Sequence, residues 1–144
     1  MHSPASPGAV VGTPRLLLRL EGLAVLVLAS WLYARGGHGW ALFALLFLAP
    51  DLSFVAYLAG PRGGAVGYNA LHSYLGPVVL GAWALATDHR HDGASGSTIV
   101  AVALIWAAHI GFDRAVGYGL KYGTRFHATH LGELGLGRRP APAA

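Results

Sequence analysis

Four stretches of this chain run for about twenty residues with almost no charge, and about 20 apolar residues in a helix are what it takes to cross the hydrocarbon core of a bilayer. They extend from about Arg15 to Tyr33, Gly39 to Gly60, Ala65 to Ala86 and Ser97 to Leu120. The connections ARGGHG, PRGG and TDHRHDGASG are short and glycine-rich, which makes successive spans antiparallel neighbours. The expected architecture is therefore all-α, an integral membrane four-helix bundle. Three spans with a buried amphipathic segment is the alternative. Composition agrees, since only 11% of the 144 residues are charged, where a soluble domain carries about a quarter. Residues 15–136 form the expected transmembrane domain with a cytoplasmic cap. The proline-rich leader 1–14 and the tail 137–144 are expected to be disordered.

Orientation follows from lysine and arginine. With both termini in the cytoplasm, that side collects Arg15, Arg19, Arg62, Lys121, Arg125, Arg138 and Arg139, and the other only Arg35 and Arg90. Trp31, Trp40 and Trp83 then sit at the outer interface, where aromatic belts lie. Cysteine is absent, which removes disulfides, thiolate zinc sites and iron–sulfur clusters. No basic stretch interleaved with aromatics suggests a nucleic acid partner. The partners expected are the lipid bilayer and a lipid-like or small-molecule substrate, and small-residue faces suit a homodimer as well as internal packing.

Ionisable groups inside lipid are costly and are tolerated chiefly when they face a bundle interior and serve a function. At about 1.5 Å of rise per residue, Glu21, Asp51, Asn69, His72, His109 and Asp113 all fall roughly 6–16 Å from the cytoplasmic end of their spans. Since alternate spans run in opposite directions, a shared depth is not a by-product of chain order. His109 and Asp113 are four apart, and Asn69 and His72 three apart, so each pair shares a helix face. A histidine one turn from a carboxylate or amide suits a pair of metal ligands, or a ligand and the group that orients it. The tail KYGTRFHATHLGELG adds His127 and His130, which reach the site if the segment folds back. Arg114, deeper than a headgroup-seeking Lys121, is expected to pair with Asp51 or Glu21 or to clamp an anionic substrate. Pro50 and Pro77 free the carbonyls of Leu46 and Ser73 within or just beyond the polar layer. The outer loop TDHRHD reads as solvated.

The motifs PDLS, YN..HS, AHIGFDR.VGYGLKY and F..THLG span most of the ordered chain. In them the sequence resembles the small bacterial membrane-protein family named domain of unknown function 4260. That resemblance implies a four-span, multi-pass protein of the bacterial plasma (inner) membrane and supplies no reaction. In layout alone the histidines and aspartates are also similar to those of intramembrane metal hydrolases, without an HExxH motif.

The function expected from these residues is metal-dependent hydrolysis of a lipid-like or amide substrate. His72, His109, Asp113, His127 and His130 form the ligand pool for a divalent metal, zinc by donor chemistry with iron as the alternative. Asp51 is a further ligand or general base, Asn69 orients substrate, Arg114 or Lys121 stabilises an oxyanion, and Glu21 contributes from the first span. A transporter for protons, metal ions or a small anion, using the same cluster as a relay, is the alternative from another class. A haem held by His72 and His109 is a weaker one.

Overall fold

The computed structural model describes residues 8–87 and 97–132. The TDHRHD loop, and the parts of leader and tail beyond these bounds, lie outside the described residues. The described chain is all-helical, with two isolated bridges at Lys121, Thr129 and Gly132. Three segments are long and apolar enough to cross a membrane: Gly12–Arg35, Trp40–Thr87 and Thr98–Val116.

α1 (Gly12–Arg35) has Pro14 in its first turn, where a missing N–H costs nothing, and stops at Gly36 and Gly37. α1 packs along the last described helix, Thr98–Val116, through two glycines. A Cβ on Gly111 would lie 2.7 Å from the Gly22 carbonyl oxygen and the Leu26 nitrogen, both main-chain atoms. Arg19 Nε adds a 2.8 Å bond to the Ala115 carbonyl.

The two central spans expected from the sequence are not continuous α-helices. Trp40–Thr87 is one apolar segment broken into α2 (Trp40–Phe47), a 3-10 helix (Ala49–Ala59), α3 (Gly60–Leu71) and α4 (Leu75–Thr87). Pro50 has no N–H to continue α2, and the chain tightens there. Gly60, at φ 89°, turns it back, so that PRGG belongs to α3 and not to a loop. The 3-10 helix and α3 pack closely, with Gly64 beneath the Tyr57 ring and Gly67 against Ala56. The second break, His72–Tyr74, precedes Pro77 by one turn and leaves carbonyls without helical partners. Side chains of the last helix fill that need: Trp106 Nε1 donates to the Leu71 carbonyl at 2.6 Å and Arg114 Nη2 to that of His72 at 2.8 Å.

That last helix, α5 (Thr98–Val116), touches α1, α2 and α4 and is the most buried element. One end of it joins an apolar cluster of Tyr33, Ala101 and Ile105 with Phe43 and Phe47. Its other end carries His109, Asp113 and Arg114, all buried. Gly117 closes it in the left-handed region at φ 105°, with its own N–H and that of Tyr118 bonded to the Asp113 carbonyl. From there the chain returns over α3. Asn69 grips the backbone of Lys121 twice, accepting from its N–H at 2.7 Å and donating to its carbonyl at 2.9 Å. The two described ends also meet, Val10 N–H on the His130 carbonyl and Tyr122 Oη on that of Gly8. Trp31, Trp40 and Trp83 are exposed, as are most leucines and valines of α1 and of the Trp40–Thr87 segment.

Candidate metal centre

Four side chains from three elements of the chain converge. Asp51 stands in the first turn of the 3-10 helix, just beyond the Pro50 break, and His72 is the residue that caps α3 at the second break. His109 and Asp113 come from one face of α5, one turn apart. His72 Nε2 and His109 Nε2 lie 3.1 Å apart. Asp51 Oδ1 lies 3.5 and 3.7 Å from those two nitrogens, and Asp113 Oδ2 lies 3.5 and 3.9 Å from them. In a tetrahedral zinc site with bonds of about 2.0–2.1 Å, neighbouring donor atoms sit about 3.3–3.4 Å apart, close to this spread. Asp51, His72 and His109 form a group whose donor atoms could hold a metal ion.

The tautomer of His72 is set by its neighbours. Its Nδ1 lies 2.9 Å from the Tyr68 carbonyl, and a carbonyl only accepts, so Nδ1 carries the proton and Nε2 turns a lone pair into the cluster. A second nitrogen at 3.1 Å then requires a proton or a cation between the rings. Tyr68, which the sequence reading passed over, organises two of the four groups. Its carbonyl fixes His72, its ring stacks on the imidazole at 3.7 Å between centroids, and its hydroxyl donates to Asp113 Oδ2 at 3.0 Å. The signal was present in the sequence, four residues before His72 and therefore on the same helix face.

The other residues named from the sequence lie elsewhere. Glu21 is exposed on α1 and is outside the cluster. Asn69 is spent on the backbone of Lys121. Arg114 donates to the carbonyls of His72 and Tyr118, so its expected pairing with Asp51 or Glu21 gives way to carbonyls freed by a helix break and a helix end. His130 Nδ1 accepts the Leu120 N–H at 2.8 Å. His127 is exposed on the wall of a cavity of about 430 Å3 that Asp51, Tyr68 and Asp113 also line. Lys121 reaches the same cavity. Its Nζ, only 8% exposed as a residue, donates to the Phe126 carbonyl at 3.0 Å and lies 3.7 Å from that ring's centroid and 4.8 Å from Tyr68's. Burial lowers its pKa, with the Asp113 charge opposing.

Burial, reinforced by the Arg114 charge, lowers the pKa of His130. With the folded value below the unfolded one of about 6.5, the unfolded chain binds more protons in between, so this contribution is complete above about pH 6.5 and is lost as pH falls through that region. Protonating Nδ1 also removes the acceptor for Leu120. Hydrogen exchange at Leu120, corrected for intrinsic rate, is expected to accelerate between pH 7 and 5 in the wild type while Ile105 stays protected. Equal protection of Leu120 at both pH values would contradict this role.

No curated protein and no solved structure matches the chain. A family match covers residues 15–134, from the start of the first apolar segment to just past the segment that returns over α3. Every residue of the cluster falls inside it, and the chain belongs to the family described as domain of unknown function (DUF4260).

Proposed function

We propose that this protein is a metal-dependent membrane hydrolase acting on a lipid-like or amide substrate, with the cluster facing the cytoplasm and Asp51, His72 and His109 holding one zinc-type cation. The observation that carries the reading is that two buried imidazole nitrogens each lie 3.1–3.9 Å from one another and from two carboxylate oxygens, and that the two carboxylates line a cavity. Two carboxylate side chains beside two imidazoles form a donor set whose charge a dication would offset. Two histidines and a carboxylate, with room for water, are the donor set of a catalytic zinc site. A cation bound there lowers the pKa of a coordinated water towards neutrality and polarises a carbonyl or phosphoryl oxygen.

Asp51, expected from the sequence as a further ligand or general base, has an oxygen near both imidazoles and takes the ligand role of the two. Asp113 takes the role of general base. Its side chain is 10% exposed against 39% for Asp51, and the Tyr68 hydroxyl holds it in place. It accepts the proton of the attacking water and returns it to the leaving group. Detergent-purified Asp113→Asn is expected to keep its metal and lose turnover of acyl-ester, acyl-amide or alkyl-phosphate probes by about 100-fold or more. Tyr68→Phe, which keeps the stacked ring and deletes the hydroxyl, is expected to cost about 10- to 100-fold in turnover. Wild-type protein that hydrolyses none of the three probe classes would overturn the proposal.

The relay reading has less support. A conducting path would need polar groups beyond His109, where α5 instead presents Ala101 and Ile105 to an apolar cluster. Haem fits poorly, because Asp51 and Asp113 crowd the two imidazoles where a macrocycle would have to pass between them.

A further inference from the structure

The cavity that Asp51 and Asp113 of the cluster help to line has a second end. Asp51, Tyr68 and Asp113 line one part of it, and Lys121 and His127 another, with aromatic rings around them. The Lys121 ammonium is buried, has three N–H donors, and spends one on the Phe126 carbonyl. Among the described residues no carboxylate lies within 4 Å of it, so ring faces and that carbonyl are its direct contacts and the Asp113 charge acts on it only from farther off. Enclosing a cation without a carboxylate in direct contact is unfavourable, and a ligand that brings an anion to it relieves that cost. Arg114 does not compete for that anion, because its guanidinium is bonded to main-chain carbonyls.

The rim has a different chemistry. Phe54, Phe112, Tyr118 and Phe126 line the cavity and are 38–46% exposed, so aromatic rings face outward from the bundle at its mouth. In a chain whose helices present leucine and valine to the bilayer, such a mouth admits an apolar chain from lipid. The volume of about 430 Å3 falls in the range of small-molecule sites, roughly 300–1,000 Å3.

We propose that this cavity binds an anionic amphiphile, with a carboxylate or phosphate on Lys121 assisted by His127, the apolar chain leaving between the four rim rings, and the bond next to the anionic group presented to the cluster. This deepens the hydrolase reading by naming its substrate class and rests on it only for the fate of that bond. Tyr68 ties the two ends together, its ring under the Lys121 ammonium and its hydroxyl on Asp113.

The test measures binding to full-length protein in a non-ionic detergent by calorimetry, with and without a chelator. The probes are dodecyl phosphate, dodecanoate, inorganic phosphate and dodecyltrimethylammonium. The two anionic amphiphiles are expected to bind wild type, with Lys121→Met weakening them by about 10- to 100-fold and Lys121→Arg restoring most of the loss. Metal content of Lys121→Met is expected to match wild type, which separates this site from the cluster. Wild type that holds no metal yet binds dodecyl phosphate through Lys121 would leave this inference standing and remove the hydrolase reading. Inorganic phosphate binding as tightly as dodecyl phosphate would identify a site for a free anion and overturn the amphiphile. Equal affinity for dodecyltrimethylammonium, or no effect of Lys121→Met, would overturn the role of Lys121.

Discussion

Replacing His72 or His109 with alanine is expected to strip the ion from the purified protein and to weaken metal affinity by more than about 100-fold, beyond the cost of losing a group that only orients a ligand. Each histidine supplies a nitrogen that no neighbour replaces, since His127 and His130 lie outside the group that could hold the ion and His130 already accepts the Leu120 N–H. The two variants differ in collateral damage. His72 also stacks on Tyr68 and bonds its carbonyl, so His72→Ala disturbs the break between α3 and α4 as well. His109 Nδ1 is buried with no hydrogen-bond partner, so His109→Ala removes an orphaned polar atom along with the ligand. His109→Ala is therefore expected to melt closer to wild type than His72→Ala while losing as much metal. Metal analysis beside a thermal melt reads both quantities. Full metal occupancy in a folded His109→Ala would contradict the assignment.

The largest effect expected on the fold itself is at Gly111. Valine there sets a Cβ 2.7 Å from two main-chain atoms of α1, and main chain inside a helix cannot move aside as the end of a side chain can. Overpacking of this kind costs about 3 kcal/mol, and Gly111 is two residues from each of His109 and Asp113. Gly111→Val is thus expected to lower thermal stability sharply and to lose metal as α1 and α5 separate. Gly81→Ala in α4 is the control. A Cβ there meets only Ala103 Cβ, at an ordinary 3.6 Å, so no loss is expected. If Gly111→Val melts with wild type, the close packing of α1 on α5 is wrong.

Some of this was readable from the residues alone. Apolar length and sparse charge announce membrane-type helices, and depth counting puts Asp51, His72, His109 and Asp113, the four that meet, at one level together with Glu21 and Asn69. Depth is a single coordinate, however. Glu21 lies at the right level and on the wrong face of α1, because level says nothing about azimuth around a helix until the partner helices are known. Asn69 and Arg114 look like catalytic groups in a list of polar residues, yet their partners are main-chain atoms. Those atoms become available only where α3 stops at His72 and α5 stops at Gly117, and hydropathy does not locate such interruptions. Pro50 and Pro77 mark two breaks approximately, the one after α2 and the one between α3 and α4. Each relieves one hydrogen bond, and the chain breaks within a turn of both. What the prolines did not announce is that Asp51 and His72 stand at those breaks. A side chain at the end of a helix can turn inward in a way that one within a regular helix cannot, and two of the four converging groups owe their position to this.

Lys121 shows the same limit from another side. Near the end of an apolar run, a lysine is expected to reach for headgroups along its flexible stem. Here Asn69 holds the lysine's own backbone from both sides, which turns the ammonium inward among Phe54, Tyr57, Tyr68 and Phe126. The chain must first return over α3 before that contact exists, so no local pattern encodes it.

The central claim is that Asp51, His72 and His109 hold one catalytic cation, and X-ray absorption on wild-type protein purified in detergent without added chelator tests it most directly. The account predicts about one transition-metal ion per chain, with zinc–ligand distances of about 2.0–2.2 Å, two imidazoles in the first shell and light-atom oxygen donors completing it. Protein that carries no such ion, or an ion whose first shell contains no imidazole, would contradict it.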